Sequence, residues 1–295
     1  MSETITPPEN IAVLAHPGIN GALNVATRVA DFLRAEGISA DAGSLYDETL
    51  RDAVREGTFD FLIALGGDGT MLRAGHICAS VNIPLLGINV GHFGFLVELK
   101  RDNWKNALPK LRSGDFRYED RMMLSARCIR NGREVANWDV INEVVVARGT
   151  QVRPIRVEAT VNEAHMASYV ADGLIAATAT GSTAYALAAG GPILPPEMRN
   201  ILLMPVAPHL SVDRAVVLSE GVSVCIKVHT KHEAVVSVDG HEPVLVSSGD
   251  CVRVTANERY LRMVRFQDPG YFYRNLTAYM EHNPLISVKS NDKSN

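Results

Sequence analysis

The stretch Phe59-Asp60-Phe61-Leu62-Ile63-Ala64-Leu65-Gly66-Gly67-Asp68-Gly69-Thr70 constrains the fold more than any other part of the chain. Its apolar run, Phe61 to Leu65, is continuous rather than alternating, the pattern of a strand buried on both faces of a parallel sheet. Gly66, Gly67 and Gly69 permit positive φ and leave no side chain between a ligand and the backbone. Thr70 is the expected N-cap for the helical pattern Met71, Leu72, Ala74, Gly75 and Ile77. Strand, glycine turn and helix start together place N–H groups where phosphate oxygens can be held. A glycine cluster after a strand also serves as a plain tight turn. Asp68 separates the two readings. A carboxylate set against a phosphate cradle repels the ligand unless it binds a cation or accepts a proton, and that combination indicates phosphoryl transfer.

The surrounding pattern agrees with a parallel sheet. Ile11 to Ala15 reads as a first strand ending at His16-Pro17-Gly18. Leu23, Ala26, Val29, Ala30 and Leu33 recur at helical spacing, and Gly37 ends that helix. Pro84 to Asn89 reads as another buried strand, closing in a second glycine turn at Gly91 and Gly94. Strand and helix alternate through the first hundred residues, as in an α/β sheet with helices on its faces. Ligands of such sheets bind outside the carboxyl ends of the strands, where both glycine turns lie. His16 and His92 sit at those ends as loop histidines.

Near Asp115-Phe116-Arg117-Tyr118 the character changes and β signals take over. Met123 to Ile129 precedes the turn Asn131-Gly132, and Val140 to Ala147 and Ile155 to Val161 follow. Val222 to Val228 alternates clearly, and Ala234 to Val238 precedes the turn Asp239-Gly240. This half is expected to be antiparallel or mixed with one face toward a core. His229-Thr230-Lys231-His232 reads as a hairpin between two of these strands. At the end, Tyr271, Phe272, Leu276, Tyr279 and Met280 form an apolar stripe at helical spacing, followed by Pro284. Ser287 to Asn295 is polar and expected to fray.

Composition narrows the function classes. The 295 residues are 46% hydrophobic and 21% charged, the balance of an ordinary soluble protein of about two domains. A net charge of −4 gives no electrostatic footprint for nucleic acid or an anionic membrane. No run approaches the roughly 18 apolar residues a membrane helix needs. Met1 to Asn10 is polar and has no apolar signal core, so a cytoplasmic protein is expected. Cys78, Cys128, Cys225 and Cys251 form no CxxC pair and read as buried reduced thiols rather than disulfides or zinc ligands.

The β half holds a second unusual stretch, from Asp172 through Thr178-Ala179-Thr180-Gly181-Ser182-Thr183-Ala184-Tyr185 to Gly190-Gly191-Pro192. An apolar strand runs into a row of hydroxyls around Gly181, then into a small-residue helix. Hydroxyls and a glycine at such a junction suit a ligand with phosphates or ribose, and Tyr185 offers a face for a planar base. Taken alone, the same row reads rather as the cap of a structural helix. Asn142-Glu143 sets an amide beside a carboxylate where Val144-Val145-Val146 begins. Adjacent strand residues face opposite ways, so both can serve one ligand only at a strand end or bulge.

Together these residues resemble the NAD kinases, the ATP-NAD 2′-phosphotransferases. Gly66 to Thr70 is similar to that family's glycine–aspartate motif, and Gly87 to Leu96 to its second glycine turn. Asn142-Glu143 matches its Asn-Glu pair, and Asp172 to Pro192 its long hydroxyl-rich motif. The glycine–aspartate turn is shared with lipid kinases and, with a serine, phosphofructokinases; Thr180 to Pro192 is far more selective. The resemblance implies α/β plus all-β architecture: residues 5–117 as a parallel-sheet nucleotide-binding-like domain and 118–266 as a β-sandwich domain. It places the ligand between them and has residues 267–295 return as a tail with a short helix on the first domain. It also implies a homodimer or homotetramer.

For the site, the resemblance makes Asp68 the general base for the adenosine ribose 2′-hydroxyl and sets Gly67, Gly69 and Arg73 near phosphate or ribose. Asn142 and Glu143 would hold ribose hydroxyls, and Asp172 a base or amide group. Thr183, Ala184, Tyr185, Ala186, Leu187 and Ala188 would line the adenine and ribose pocket. Arg153, Ala207 and His241 match further contacts by spacing. The chain departs from the family at His241, often glutamine, and at Ala179, commonly proline. NAD and ATP are the implied substrates, with Mg²⁺ or Mn²⁺ carried in on ATP rather than held in a protein cage. A lipid or sugar kinase sharing the turn, or a non-catalytic dinucleotide sensor, are the alternatives.

Overall fold

The computed structural model describes residues 6–91, 94–209 and 213–281. His92, Phe93, Pro284 and the polar end Ser287 to Asn295 lie outside the described residues. The chain forms two compact units. One comprises the residues up to Glu119 together with those from Leu261 onward; the other is Asp120–Tyr260.

The first unit is built on β1 (Asn10–Ala15), α1 (Ala22–Ala35), β2 (Ser39–Ser44), α2 (Glu48–Arg55), β3 (Phe61–Gly66), α3 (Asp68–Val81) and β4 (Leu85–Asn89). β5 (Leu99–Lys100), α4 (Trp104–Ala107) and α5 (Pro109–Ser113) complete its N-terminal part. The strands lie parallel in the order β2-β1-β3-β4, so the winding changes direction between β1 and β3. That reversal opens a crevice at the carboxyl ends of β1 and β3. The His16 N–H donates to the Leu65 carbonyl across it. β3 is buried along its whole length, as the unbroken apolar run predicts. α1 ends as expected: Gly37 takes φ 84°, and the Gly37 and Ile38 N–H groups donate to the Arg34 and Leu33 carbonyls. β2 and α2 have no counterpart in the apolar pattern. β2 reads Ser-Ala-Asp-Ala-Gly-Ser, a sheet-edge sequence, and α2 is started by the Asp47 carboxylate accepting from Thr49 and Leu50.

The second unit takes in most of β6 (Arg117–Arg130), then β7 (Arg133–Val140), β8 (Glu143–Arg148), β9 (Ile155–Val161), β10 (Ala164–Ala171) and β11 (Gly173–Ala177). A single helical turn, α6 (Tyr185–Ala188), follows. Then come β12 (Asn200–Val206), β13 (Val216–Ser219), β14 (Val224–His229), β15 (Ala234–Val238), β16 (Val244–Val246) and β17 (Cys251–Arg265). One antiparallel sheet runs β13-β12-β11-β8-β15-β16. β10, β9, β14 and the start of β17 form a second ladder, and β6 pairs with β7. Val144, Val146, Leu174 and Leu203 from one sheet share a core with Val157, Ile226, Val252 and Val254 from the other, which makes a β-sandwich. Asn131 and Gly132, at φ 50° and 75°, make the β6–β7 hairpin turn.

Two expectations are corrected here. His229 to His232 does not close a hairpin, because β14 pairs with β9 and β17 while β15 pairs with β8 and β16. The short loop crosses from one sheet to the other. Cys225 and Cys251 are joined as a disulfide between the neighbouring strands β14 and β17, with Cα atoms 5.9 Å apart. A separation of 26 residues hides that adjacency in the sequence. Cys78 and Cys128 are buried thiols, and burial raises the pKa of both.

β17 ends in the first unit, where Met263 pairs with Leu85 of β4. α7 (Tyr271–Glu281) follows and buries Tyr271 and Phe272. The Tyr271 hydroxyl donates to the Glu119 carboxylate, and the Arg265 guanidinium lies 5.0 Å above the Tyr271 ring.

Candidate functional site

In the first unit the site begins where β3 gives way to α3. The helix starts at Asp68, with Gly67 as N-cap, so Thr70 is not the cap the sequence indicated. Thr70 is buried and packs on Gly66, where an added Cβ would come within 2.0 Å of its hydroxyl oxygen. The glycines are there for room rather than for positive φ. Gly67 has φ −104°, and neither Gly66 nor Gly69 is among the positive-φ glycines of the described residues. Gly69 is exposed, and a Cβ added to it would meet nothing within 4 Å among the described residues.

Asp68 therefore sits in the first turn of α3, where the helix dipole favours a negative charge. Its carboxylate is aimed from outside the helix: Oδ2 accepts from the Phe95 N–H at 2.8 Å and Oδ1 from the Leu96 N–H at 3.0 Å. Gly94 makes this possible, since a Cβ there would lie 2.1 Å from Asp68 Oδ1. The second glycine turn thus holds the acid of the first. Arg73, further along α3, is exposed and lies 5.3 Å above the Tyr46 ring, whose hydroxyl is 3.3 Å from His16 Nε2.

In the second unit Asn142 and Glu143 stand where a strand begins, the position at which neighbouring side chains can share a ligand. Three successive N–H groups, of Ile141, Asn142 and Glu143, donate to the Asp239 carboxylate at 2.7, 2.8 and 3.0 Å. Asp239 takes φ 49° in the loop after β15. In the sequence it marks only a turn, because Asp-Gly is a general hairpin signal. Nothing in that dipeptide signals its role in fixing the Asn-Glu pair.

The hydroxyl row shapes this corner more than it offers groups to a ligand. Thr178 Oγ1 donates to the Ile141 carbonyl at 2.6 Å and accepts from the Gly181 N–H, while the Thr178 N–H donates to the Asn142 carbonyl. Ser182 Oγ donates to the Ala179 carbonyl and accepts from the Leu194 N–H. Thr180 Oγ1 accepts from Arg121, and Thr183 Oγ1 donates to the Thr180 carbonyl. Gly181 presses so closely on the strand start that a Cβ would fall 2.1 Å from the Asn142 carbonyl oxygen. These bonds hold the turn at Ala179 without a proline ring.

Glu143 is buried at 7% exposure and its Oε2 has no hydrogen-bond partner among the described residues. Burial first, and the nearby Asp239 charge second, push its pKa up to about 8, against a bond from the Tyr185 N–H. It carries a proton at neutral pH and can donate as well as accept. Around it, Tyr185 is exposed, Thr183, Ala184 and Leu187 are half-buried, and Ala188 is exposed. The Ala186 side chain instead faces the apolar cluster of Ala177, Leu194, Leu202 and Met204.

Asp172, Ala207 and Arg153 are not brought to this corner. Asp172 precedes β11, opposite the end that runs into Thr178, and pairs with Arg148 at 3.2 Å. Its N–H donates to the Val206 carbonyl, with Ala207 next in the chain at φ 45° and exposed. The five residues of β11 separate the two ends by about 17 Å. Arg153 is exposed in the loop before β9. His241 is exposed in the loop before β16, and its carbonyl accepts from the Ser237 hydroxyl.

An aimed acid behind a parallel strand, with a polar corner that buries an unpartnered carboxyl, is the equipment of a small-molecule kinase. Residues 11–116 match the ATP-NAD kinase N-terminal domain and residues 141–266 the ATP-NAD kinase C-terminal domain. The chain belongs to the NAD kinase family. It is 35% identical over 271 residues to the NAD kinase of Chloroflexus aggregans, covering 92% of this chain and 98% of that one. It is 39% identical over 260 residues to that of Heliobacterium modesticaldum, covering 85% and 91%. Among solved structures, an NAD kinase from Archaeoglobus fulgidus in complex with ATP superposes with a TM-score of 0.72 at 25% identity, covering 92% and 98%. A yeast NADH kinase complexed with NADH shares the fold, with a TM-score of 0.81 at 20% identity over 96% and 90%. Among the described residues no helix is long and apolar enough to cross a membrane.

Proposed function

We propose that the chain transfers the γ-phosphoryl group of ATP to the 2′-hydroxyl of the adenosine ribose of NAD, giving NADP, with Asp68 as general base. The observation that carries this reading is the Asp68 carboxylate, fixed by two backbone N–H groups at the start of α3. A ribose hydroxyl is a weak nucleophile, and a carboxylate within hydrogen-bond reach contributes roughly 10²- to 10⁴-fold. Gly67 and Gly69 leave the helix start open to phosphate, and Arg73 is the nearest cation on α3. Asn142, Glu143 and the segment Thr183 to Ala188 bind the adenosine ribose. The unpartnered Oε2 of Glu143 supports this, because a buried carboxyl oxygen gains most from a ligand hydroxyl.

The phosphates of ATP bring Mg²⁺ or Mn²⁺ with them. Its donors would be phosphate and water oxygens rather than a cage of protein ligands. Such an ion, when bound with ATP, would offset charge on the γ-phosphoryl group. The same proposal makes the protein a cytoplasmic homodimer or homotetramer. Asp172, Ala207, Arg153 and His241 then contact other parts of the dinucleotide or a dinucleotide held by a neighbouring copy.

The test is product formation from NAD and NADH, each with ATP and with polyphosphate, in the parent and in Asp68→Asn. NADP from NAD and ATP, lost by 10²-fold or more in the variant, is expected. Turnover within about threefold of the parent would exclude the base role. NAD binding without turnover in the parent would favour a sensor instead.

A further inference from the structure

We propose that Arg265 is a positioning residue for phosphoryl transfer, acting through Leu96 on Asp68; the inference rests on Asp68 being the base. Leu96 stands between the two. Its N–H donates to Asp68 Oδ1 at 3.0 Å, and its carbonyl accepts from Arg265 Nη1 at 3.3 Å. The guanidinium is fully buried and is itself clamped: Nη1 donates to Glu98 Oε2 at 3.2 Å and Nε to Glu119 Oε1 at 3.1 Å. Glu98 Oε1 accepts from the Phe266 N–H at 2.9 Å, which ties the carboxylate back to the strand that carries Arg265. Glu119 also accepts from Arg117 and from the Tyr271 hydroxyl.

On its other side the segment is pressed on β4. The Glu98 N–H donates to the Gly87 carbonyl, and a Cβ on Gly87 would lie 3.1 Å from Val97 Cα. Phe95 to Glu98 is thus held by β4 and by one buried cation. An aspartate in a first helical turn has an alternative, which is to swing back and accept from the N–H groups of its own helix. The donors at Phe95 and Leu96 hold it out, and they can do so only while the segment stays in place. A fixed planar fork suits this task, since lysine cannot reach Leu96, Glu98 and Glu119 with the same geometry.

The test compares three single variants and one double in the full-length enzyme, after NADP formation by the parent is established. Arg265→Lys should lower kcat by about tenfold or more while KM for NAD stays within about twofold. Tyr271→Phe keeps the ring beside Arg265 and removes the hydroxyl that donates to Glu119, while leaving the Arg265 bond to Leu96 in place. It should lower the melting temperature yet leave kcat within about twofold. Arg265→Lys placed on Asp68→Asn should cost nothing further, because both act on one proton transfer. Glu119→Gln loosens the clamp but keeps the arginine, and reads a smaller kcat loss should Arg265→Lys fail to fold. The proposal is overturned if KM rises in step with the fall in kcat. It is also overturned if Tyr271→Phe loses as much kcat as the Arg265 or Glu119 variant, or if the double variant loses the full additional factor. If Asp68→Asn alone keeps its turnover, the reading of Asp68 fails rather than the role of Arg265 in holding Leu96.

Discussion

Glu143→Gln should make the protein more stable, and only at higher pH. Burial and the Asp239 charge push the Glu143 pKa from 4.5 to about 8 in the folded chain. In the unfolded chain the group ionises near its ordinary value. Below about pH 4.5 both states carry the proton and the group costs nothing. As pH rises toward 8 the unfolded state releases its proton while the folded state keeps it, so stability falls, and it levels off above that. At about 1.36 kcal/mol per pH unit, the loss is on the order of 3–5 kcal/mol. Glutamine keeps the size and the carbonyl acceptor for the Tyr185 N–H but does not titrate. Urea denaturation of parent and variant at intervals from pH 5 to 9, without ligand, reads the difference. The curves should lie within about 1 kcal/mol at pH 5, diverge toward pH 8 and then hold a constant gap, with the variant above. Parallel curves across that range would refute the reasoning, because they would mean Glu143 is solvated enough to ionise normally.

Two further substitutions test the close approaches. Gly94→Ala puts a methyl group about 2.1 Å from Asp68 Oδ1, so the carboxylate must leave the Phe95 and Leu96 N–H groups. Steady-state kinetics should show a kcat loss on the order of 10²-fold with little change in KM for NAD, and full activity would contradict the geometry. Gly181→Ala drives a methyl group into the Asn142 carbonyl, a backbone atom that cannot rotate away. Calorimetry should register roughly 3 kcal/mol or more of destabilisation, and NAD affinity should fall with it.

The parts of the site that stand out in the sequence are those made of unusual residues crowded over a few positions. Gly66 to Thr70, Asn142-Glu143 and Thr178 to Pro192 are of this kind, and the alternation in Val222 to Val228 marks a strand just as plainly. The parts that orient them do not stand out. Phe95 and Leu96 act through N–H groups that nearly every residue type carries. Asp239 resembles any hairpin aspartate until Ile141, Asn142 and Glu143 are folded against it. The hydroxyls of Thr178 and Ser182 look ready for a ligand because sequence does not show that the Ile141 and Ala179 carbonyls already take them. The loop at His229 to His232 has a hairpin's length, yet it crosses between sheets, a choice made by strand pairing far away in the chain.

The bond from Arg265 to Leu96 joins residues 169 positions apart. On a ribosome adding about 5–20 residues per second, Leu96 emerges roughly 10–30 s before its arginine exists. During that interval the glycine–aspartate turn is complete in sequence, but the cation that steadies its neighbour has not been made. The second unit, Asp120–Tyr260, is completed only shortly before that arginine, because Val252 and Val254 of its core lie on the same strand, β17. A nascent or prematurely terminated chain ending before Arg265 therefore carries the acid without its support. On the role proposed for Arg265, such a product would transfer phosphate poorly, and full competence would arrive with the last strand.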